Sequence, residues 1–118
     1  MAEAGLFIGW GVPVRGREKR ALDLFNGTMQ YYGRLQQDGK IERFDVAVLA
    51  PHGSDLAGFA LMQGTEQQID WLRRDEEFQQ WVTRAQLIVE QFGVVDALVD
   101  QGLGQAISRY QNELAQLD

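Results

Sequence analysis

With 118 residues the chain has the length of one domain, which buries roughly two-thirds of the surface its unfolded form exposes and so holds a real core. Apolar residues at 45% and charged residues at 24% are the balance of a globular protein and exclude a disordered or fibrous chain. A net charge of -6 argues against nucleic acid or an anionic membrane as partner, and no Cys with one His excludes disulfides, cysteine nucleophiles and multi-histidine metal centres.

Leu6 to Val12 is β-branched and aromatic enough for a first strand, with Pro13 closing its ladder. From Arg17 the apolar positions Leu22, Phe25, Met29, Tyr32 and Leu35 recur at three- and four-residue steps, predicting a helix that stops at Asp38-Gly39. Gly27 and Gly33 weaken it locally. Ile41 to Ala50 and Leu56 to Gln63 read as a hairpin across a five-residue turn, Pro51-His52-Gly53-Ser54-Asp55. Thr65 with Gln68 forms a capping box for a short helix through Arg74, and Asp75 recaps a second stretch whose face runs Phe78, Trp81, Val82, Ala85, Ile88, Val89, Phe92, so the second helix is expected to kink near Arg74-Asp75. Gly93 ends that helix, Val94 to Val99 gives a fourth strand, and Gly104 to Leu117 has the spacing of an extra C-terminal helix. The order β-α-β-β-α-β-α over residues 1–118 predicts one α+β domain of ferredoxin-like plan, a four-stranded antiparallel sheet with helices on one face.

Such a sheet should alternate apolar and polar along each strand. Here Leu6, Ile8, Trp10 and Val12 face one side and Phe7, Gly9 and Gly11 the other, with no polar side chain in either set. Something must cover the second face: the C-terminal helix, or more economically a second copy of the chain. The element order, the segment Leu35 to Phe44 and the segment Asp75 to Phe92 together resemble the dimeric α+β barrel superfamily. That resemblance implies two sheets packed face to face in a homodimer, with a pocket between each sheet and its helices. Its members include cofactor-free monooxygenases, lactone isomerases and heme-handling proteins. No catalytic motif of that group maps onto this sequence residue by residue, so no catalytic assignment follows.

The chemistry on offer is sparse. His52, three residues before Asp55, has the pKa range of a general base but sits at a hairpin tip, where a solvated turn histidine is the simpler reading. Ser54 is too close along the turn to pair with it. Gly9-Trp10-Gly11 lacks the third glycine of a dinucleotide fingerprint and lies inside a strand, which leaves sheet bending or a pocket beside Trp10. Arg15, Arg17, Lys19 and Arg20 crowd a helix start, where they would hold an anion or form a solvated charge run. Asp75, Glu76 and Glu77 are explained by capping without a metal. Arg43 and Asp45 share one face of an otherwise apolar strand, which suggests a charge network fixing a dimer register, with Arg84 as a further member. Met29, Tyr31, Tyr32, Phe59, Met62 and Trp81 provide core or ligand surface, and Tyr31 alone lies off the main stripe of its helix.

These readings combine into a homodimer that binds a small hydrophobic or anionic molecule, or plays a structural part. The candidate ligand residues are Trp10, Tyr31, Met62, Arg15 and Arg17, and no cofactor or metal is expected. The alternative is a cofactor-free monooxygenase or isomerase, for which His52, Asp45 and Arg43 are the available groups. The start Met-Ala-Glu-Ala lacks the basic region of a signal peptide, and the apolar run from Gly5 to Val14 is too short to span a bilayer. A cytoplasmic protein is the expectation.

Overall fold

The computed structural model describes residues 2–117. Its elements run β1 (Ala4–Trp10), α1 (Glu18–Gln37), β2 (Arg43–Val48), β3 (Gly58–Gly64), α2 (Glu66–Arg74), α3 (Glu76–Ile88), β4 (Gly93–Ala97) and α4 (Asp100–Leu117). The four strands form one antiparallel sheet in the order β2-β3-β1-β4, the α+β ferredoxin-like plan expected from the pattern. No helix among the described residues is long and apolar enough to cross a membrane.

Register assigns each side chain to a face. Phe44, Met62 and Leu6 stand in one cross-strand row, and Val46, Ala60, Ile8 and Val94 in the next. These rows meet α1, α2 and α3, and Leu6, Ala60 and Met62 are wholly buried there with Tyr31, Tyr32, Leu35, Ile69, Leu72 and Phe78. Of the opposite rows, Asp45-Leu61-Phe7-Val95 and Arg43-Gln63-Gly5-Ala97, the second is met only by the chain entering α4, where Val99 lies over Gly5.

Helix boundaries follow local chemistry. Thr65 Oγ1 accepts from the Gln68 amide and the Gln68 side chain accepts from the Thr65 amide, which starts α2. At Asp75 the expected kink is a full break. The residue is extended, ends α2, and its carboxylate accepts from the Phe78 amide to start α3. α1 ends at Gln37, and Gly39 takes the left-handed conformation that closes it.

Several boundaries move, among them the start of β2 from Ile41 to Arg43 and the end of β4 from Val99 to Ala97. β1 spans Ala4–Trp10 because the Gly11 amide leaves the sheet for the Glu90 carbonyl and Pro13 bridges to Val89. The β2 to β3 connection covers residues 49–57 instead of five, since the Ala57 amide turns to the Trp10 carbonyl and only the Leu49 amide reaches back across, to Ala57. α3 stops at Ile88, and Gly93 opens β4 where it was expected to close the helix. α4 starts at Asp100, ahead of Gly104. Its early glycine Gly102 is a close-approach residue, because a Cβ there would stand 2.7 Å from the Glu3 carbonyl oxygen.

α4 does not fold back over the uncovered sheet face. None of its residues is buried, and Leu103, Ile107, Tyr110, Leu114 and Leu117 are all exposed. A radius of gyration of 16.2 Å, against roughly 13–14 Å for a compact chain of this length, reflects that projecting helix.

Candidate functional site

Between the sheet and the helices lies a cavity of about 230 Å³. Its floor is Ile8 and Trp10, its walls are Phe25, Thr28 and Tyr32 from α1 and Phe78, Trp81 and Ala85 from α3, and exposed Val12 and Val48 stand at its rim. Two close approaches give it this shape. The Trp10 ring lies over Gly58, where a Cβ would stand 2.7 Å from the ring, and the Trp81 ring lies over Gly27, where a Cβ would stand 2.6 Å away. Gly27, which weakens α1 as a helix former, is therefore the residue that lets α3 dock its tryptophan. Trp10 and Phe25 meet edge to face with centroids 6.3 Å apart.

Among the described residues that line the cavity there is no carboxylate, imidazole, amine or guanidinium. The polar groups are the Thr28 and Tyr32 hydroxyls and the indole N–H groups of Trp10 and Trp81. Thr28 donates back to the Phe25 carbonyl at 2.9 Å, and Trp81 donates to Glu77 at 3.3 Å. Glu77 is also paired with Arg34 at 2.9 Å, and that guanidinium holds its carboxyl below the usual range.

The sequence-derived candidates scatter. Trp10 lines the cavity, and Gly11 beside it does too. Gly9 faces the other side of the sheet, beneath Phe7 and Leu56. Met62 is wholly buried in the core and reaches no cavity surface. Tyr31 stands outside the cavity wall: its hydroxyl donates to Asp75 Oδ2 at 2.7 Å, and its ring packs against Trp81 and beneath the Arg34 guanidinium. The cavity tyrosine is its neighbour Tyr32, which the helical stripe assigns to the core. The missed signal is geometric, because a core stripe and a cavity wall share one periodicity.

Arg17 is the N-cap residue of α1, and its guanidinium donates to the Leu87 carbonyl near the end of α3. The Glu18 carboxylate turns back and accepts from the Gly16 amide at 2.9 Å, just ahead of the N-cap. Arg15 is exposed and does not line the cavity. Arg43 and Asp45 pair at 2.7 Å on the uncovered sheet face, where the Gln63 amide also donates to Asp45 at 3.2 Å. Arg84 is not part of that group, because α3 carries it to the Trp81 ring, 4.8 Å from the centroid. His52 is exposed in the β2 to β3 loop, its Nε2 2.7 Å from the Leu56 carbonyl. None of the three residues weighed for catalysis, His52, Asp45 and Arg43, lines the cavity.

No protein-family model matches the chain, and no curated protein matches it. Solved structures do. A dimeric protein of unknown function and ferredoxin-like fold from Bacteroides fragilis aligns at 11% identity, covering 80% of this chain and 95% of that one, with a TM-score of 0.59. An ethyl tert-butyl ether D family protein from Bacillus halodurans aligns at 11% identity over 85% of this chain and all of that one, TM-score 0.58. SnoaB, a cofactor-independent oxygenase from Streptomyces nogalater, aligns at 12% identity over 85% of this chain and 96% of that one, TM-score 0.57. At these identities the likeness shows the fold, and it is the fold that the resemblance to dimeric α+β barrels implied.

Proposed function

We propose that the protein is a cytoplasmic homodimer in which each protomer binds one small, mostly apolar molecule between its sheet and helices without acting on it chemically. The observation that carries this reading is the cavity of about 230 Å³ walled by aromatic and aliphatic side chains. Its size lies below the roughly 300–1,000 Å³ of drug-sized ligand sites, so the occupant is small. A charged occupant is disfavoured, because no wall residue supplies a counter-charge for it.

A dimer is supported by the uncovered sheet face. Phe7 and Phe59 stack there at 5.4 Å beside Leu61 and Val95, and the fold gives them no cover from α4. The Bacteroides fragilis protein of the same fold is described as dimeric. Sedimentation equilibrium should give twice the protomer mass for the wild type and the protomer mass for Phe59→Asp. A monomeric wild type at micromolar concentration removes the dimer.

The second reading, a cofactor-free monooxygenase or isomerase, draws on the shared fold with the Streptomyces oxygenase. The wall favours binding over acid-base chemistry. Its one titratable side chain among the described residues is Tyr32, whose phenol burial pushes up, so no wall group exchanges a proton near neutral pH.

The test is saturable binding of tetralin, a neutral bicyclic hydrocarbon, read by the rise in melting temperature and by the fluorescence of Trp10 and Trp81. Ala21→Trp, which fills the cavity from α1, should fold and lose the binding. Absence of saturable binding to the wild type, or equal binding to Ala21→Trp, overturns the proposal.

A further inference from the structure

Tyr32 is 6% exposed, lies on the cavity wall, and packs its ring against Phe44 and Tyr31. Its neighbour Tyr31 donates to Asp75, whereas the Tyr32 hydroxyl has no hydrogen-bond partner among the described residues. No fully enclosed side-chain oxygen or nitrogen among the described residues lacks a partner. The unpartnered Tyr32 oxygen is therefore reached from open space, and the space beside Tyr32 is the cavity. A phenol without a protein acceptor bonds to whatever enters that space, water or an occupant that displaces it.

We propose that Tyr32 is the polar anchor of the cavity and donates a hydrogen bond to the single acceptor oxygen of a neutral, otherwise apolar ligand, with a carbonyl compound as the fitting class. This deepens the binding reading above and rests on it. The donor role follows from protonation, because burial raises the phenol above its ordinary value and keeps its proton at physiological pH. Neutrality follows from the wall, which has no charged group to pair with a charged ligand. Of the other donors on the wall, Thr28 and Trp81 are engaged by Phe25 and Glu77, which leaves the Trp10 indole as the competitor for an acceptor. Trp10 is half-buried, and its indole is the control donor.

The experiment compares tetralin with 1-tetralone, which has the same bicyclic frame plus one carbonyl. The wild type should bind tetralone roughly five- to tenfold more tightly, the fold-change of one net hydrogen bond. In Tyr32→Phe the tetralone-to-tetralin affinity ratio should fall to about one, while in Trp10→Phe the ratio persists whatever that variant's affinity for tetralin. In the wild type the infrared carbonyl stretch of bound tetralone should fall below its value in hexane, a readout that stands even where a variant fails to fold.

Equal affinities of wild type for the two compounds, or an unshifted carbonyl stretch, overturn the anchor and leave the cavity reading in place. A preference lost in Trp10→Phe and kept in Tyr32→Phe overturns it as well, as does parallel weakening of both compounds by Tyr32→Phe. Failure of both compounds to bind the wild type overturns the cavity reading, and the anchor falls with it.

Discussion

Tyr31 Oη donates a 2.7 Å hydrogen bond to Asp75 Oδ2, the same oxygen that accepts from the Phe78 amide at 3.2 Å. One residue thus ends α2 with its backbone amide, while its carboxylate starts α3 and ties it to the middle of α1. Tyr31→Phe should lower stability by about 1.5 kcal/mol, the range of a hydrogen bond to a charged acceptor. Asp75→Ala removes the cap as well and should cost about 2–4 kcal/mol. Urea titration with an unchanged m-value checks both, and a Tyr31→Phe protein as stable as the wild type would show that the bond contributes nothing.

Alkaline pH separates Tyr31 from an ordinary tyrosine. Burial first, then the hydrogen bond to Asp75, raises its phenol above the usual value of 10.0, and burial raises Tyr32 likewise. A raised folded-state value gives stability that is fully present below the unfolded pKa and is lost as pH climbs past it. Stability should therefore fall above about pH 10, and Tyr31→Phe should flatten that fall by about 1.4 kcal/mol per pH unit. Denaturant midpoints measured from pH 8 to pH 11.5 test this, and parallel curves for the two proteins would refute it.

Gly27 and Gly33 sit in the same helix with opposite consequences. A Cβ at Gly33 meets nothing within 4 Å, so Gly33→Ala should stabilise by about 0.5–1 kcal/mol through helix propensity and reduced chain entropy. At Gly27 the same methyl would stand 2.6 Å from the Trp81 ring. Gly27→Ala should destabilise by about 1–3 kcal/mol, with overpacking exceeding the propensity gain, and should shift the Trp81 fluorescence. Thermal melts of the two variants moving in the same direction would disprove the contrast.

The apolar positions Leu103, Ile107, Tyr110, Leu114 and Leu117 follow steps of four, three, four and three along α4. That is a seam for a second apolar surface, and nothing in the protomer fills it. Ile107→Lys with Leu114→Lys should leave protomer stability within about 0.5 kcal/mol of wild type, as surface substitutions do, while weakening self-association at least about tenfold. Sedimentation velocity across a concentration series measures the second effect. An unchanged dissociation constant would exclude α4 from the dimer.

The sequence by itself determined the order of the strands, the sheet class and a kink at Asp75, which the structure turns into a full break, because those rest on short-range chemistry: hydrophobic period, the Thr65-Gln68 box, the glycine at position 39. It also marked the sheet as apolar on both faces, since alternation is a property of consecutive residues. Only the tertiary structure decided which tyrosine meets the cavity. Tyr31 and Tyr32 are neighbours on one helix, and the choice depends on where Asp75 arrives from a different part of the chain. The same holds for Gly27, a weak point of its own helix until Trp81 packs onto it, and for Arg84, which α3 carries to Trp81 and away from Arg43 and Asp45. It holds as well for α4, whose amphipathic pattern is plain in the sequence but whose failure to cover the sheet is set by where the chain leaves β4. Periodicity states which side chains seek burial, and the long-range contacts alone state what they are buried against.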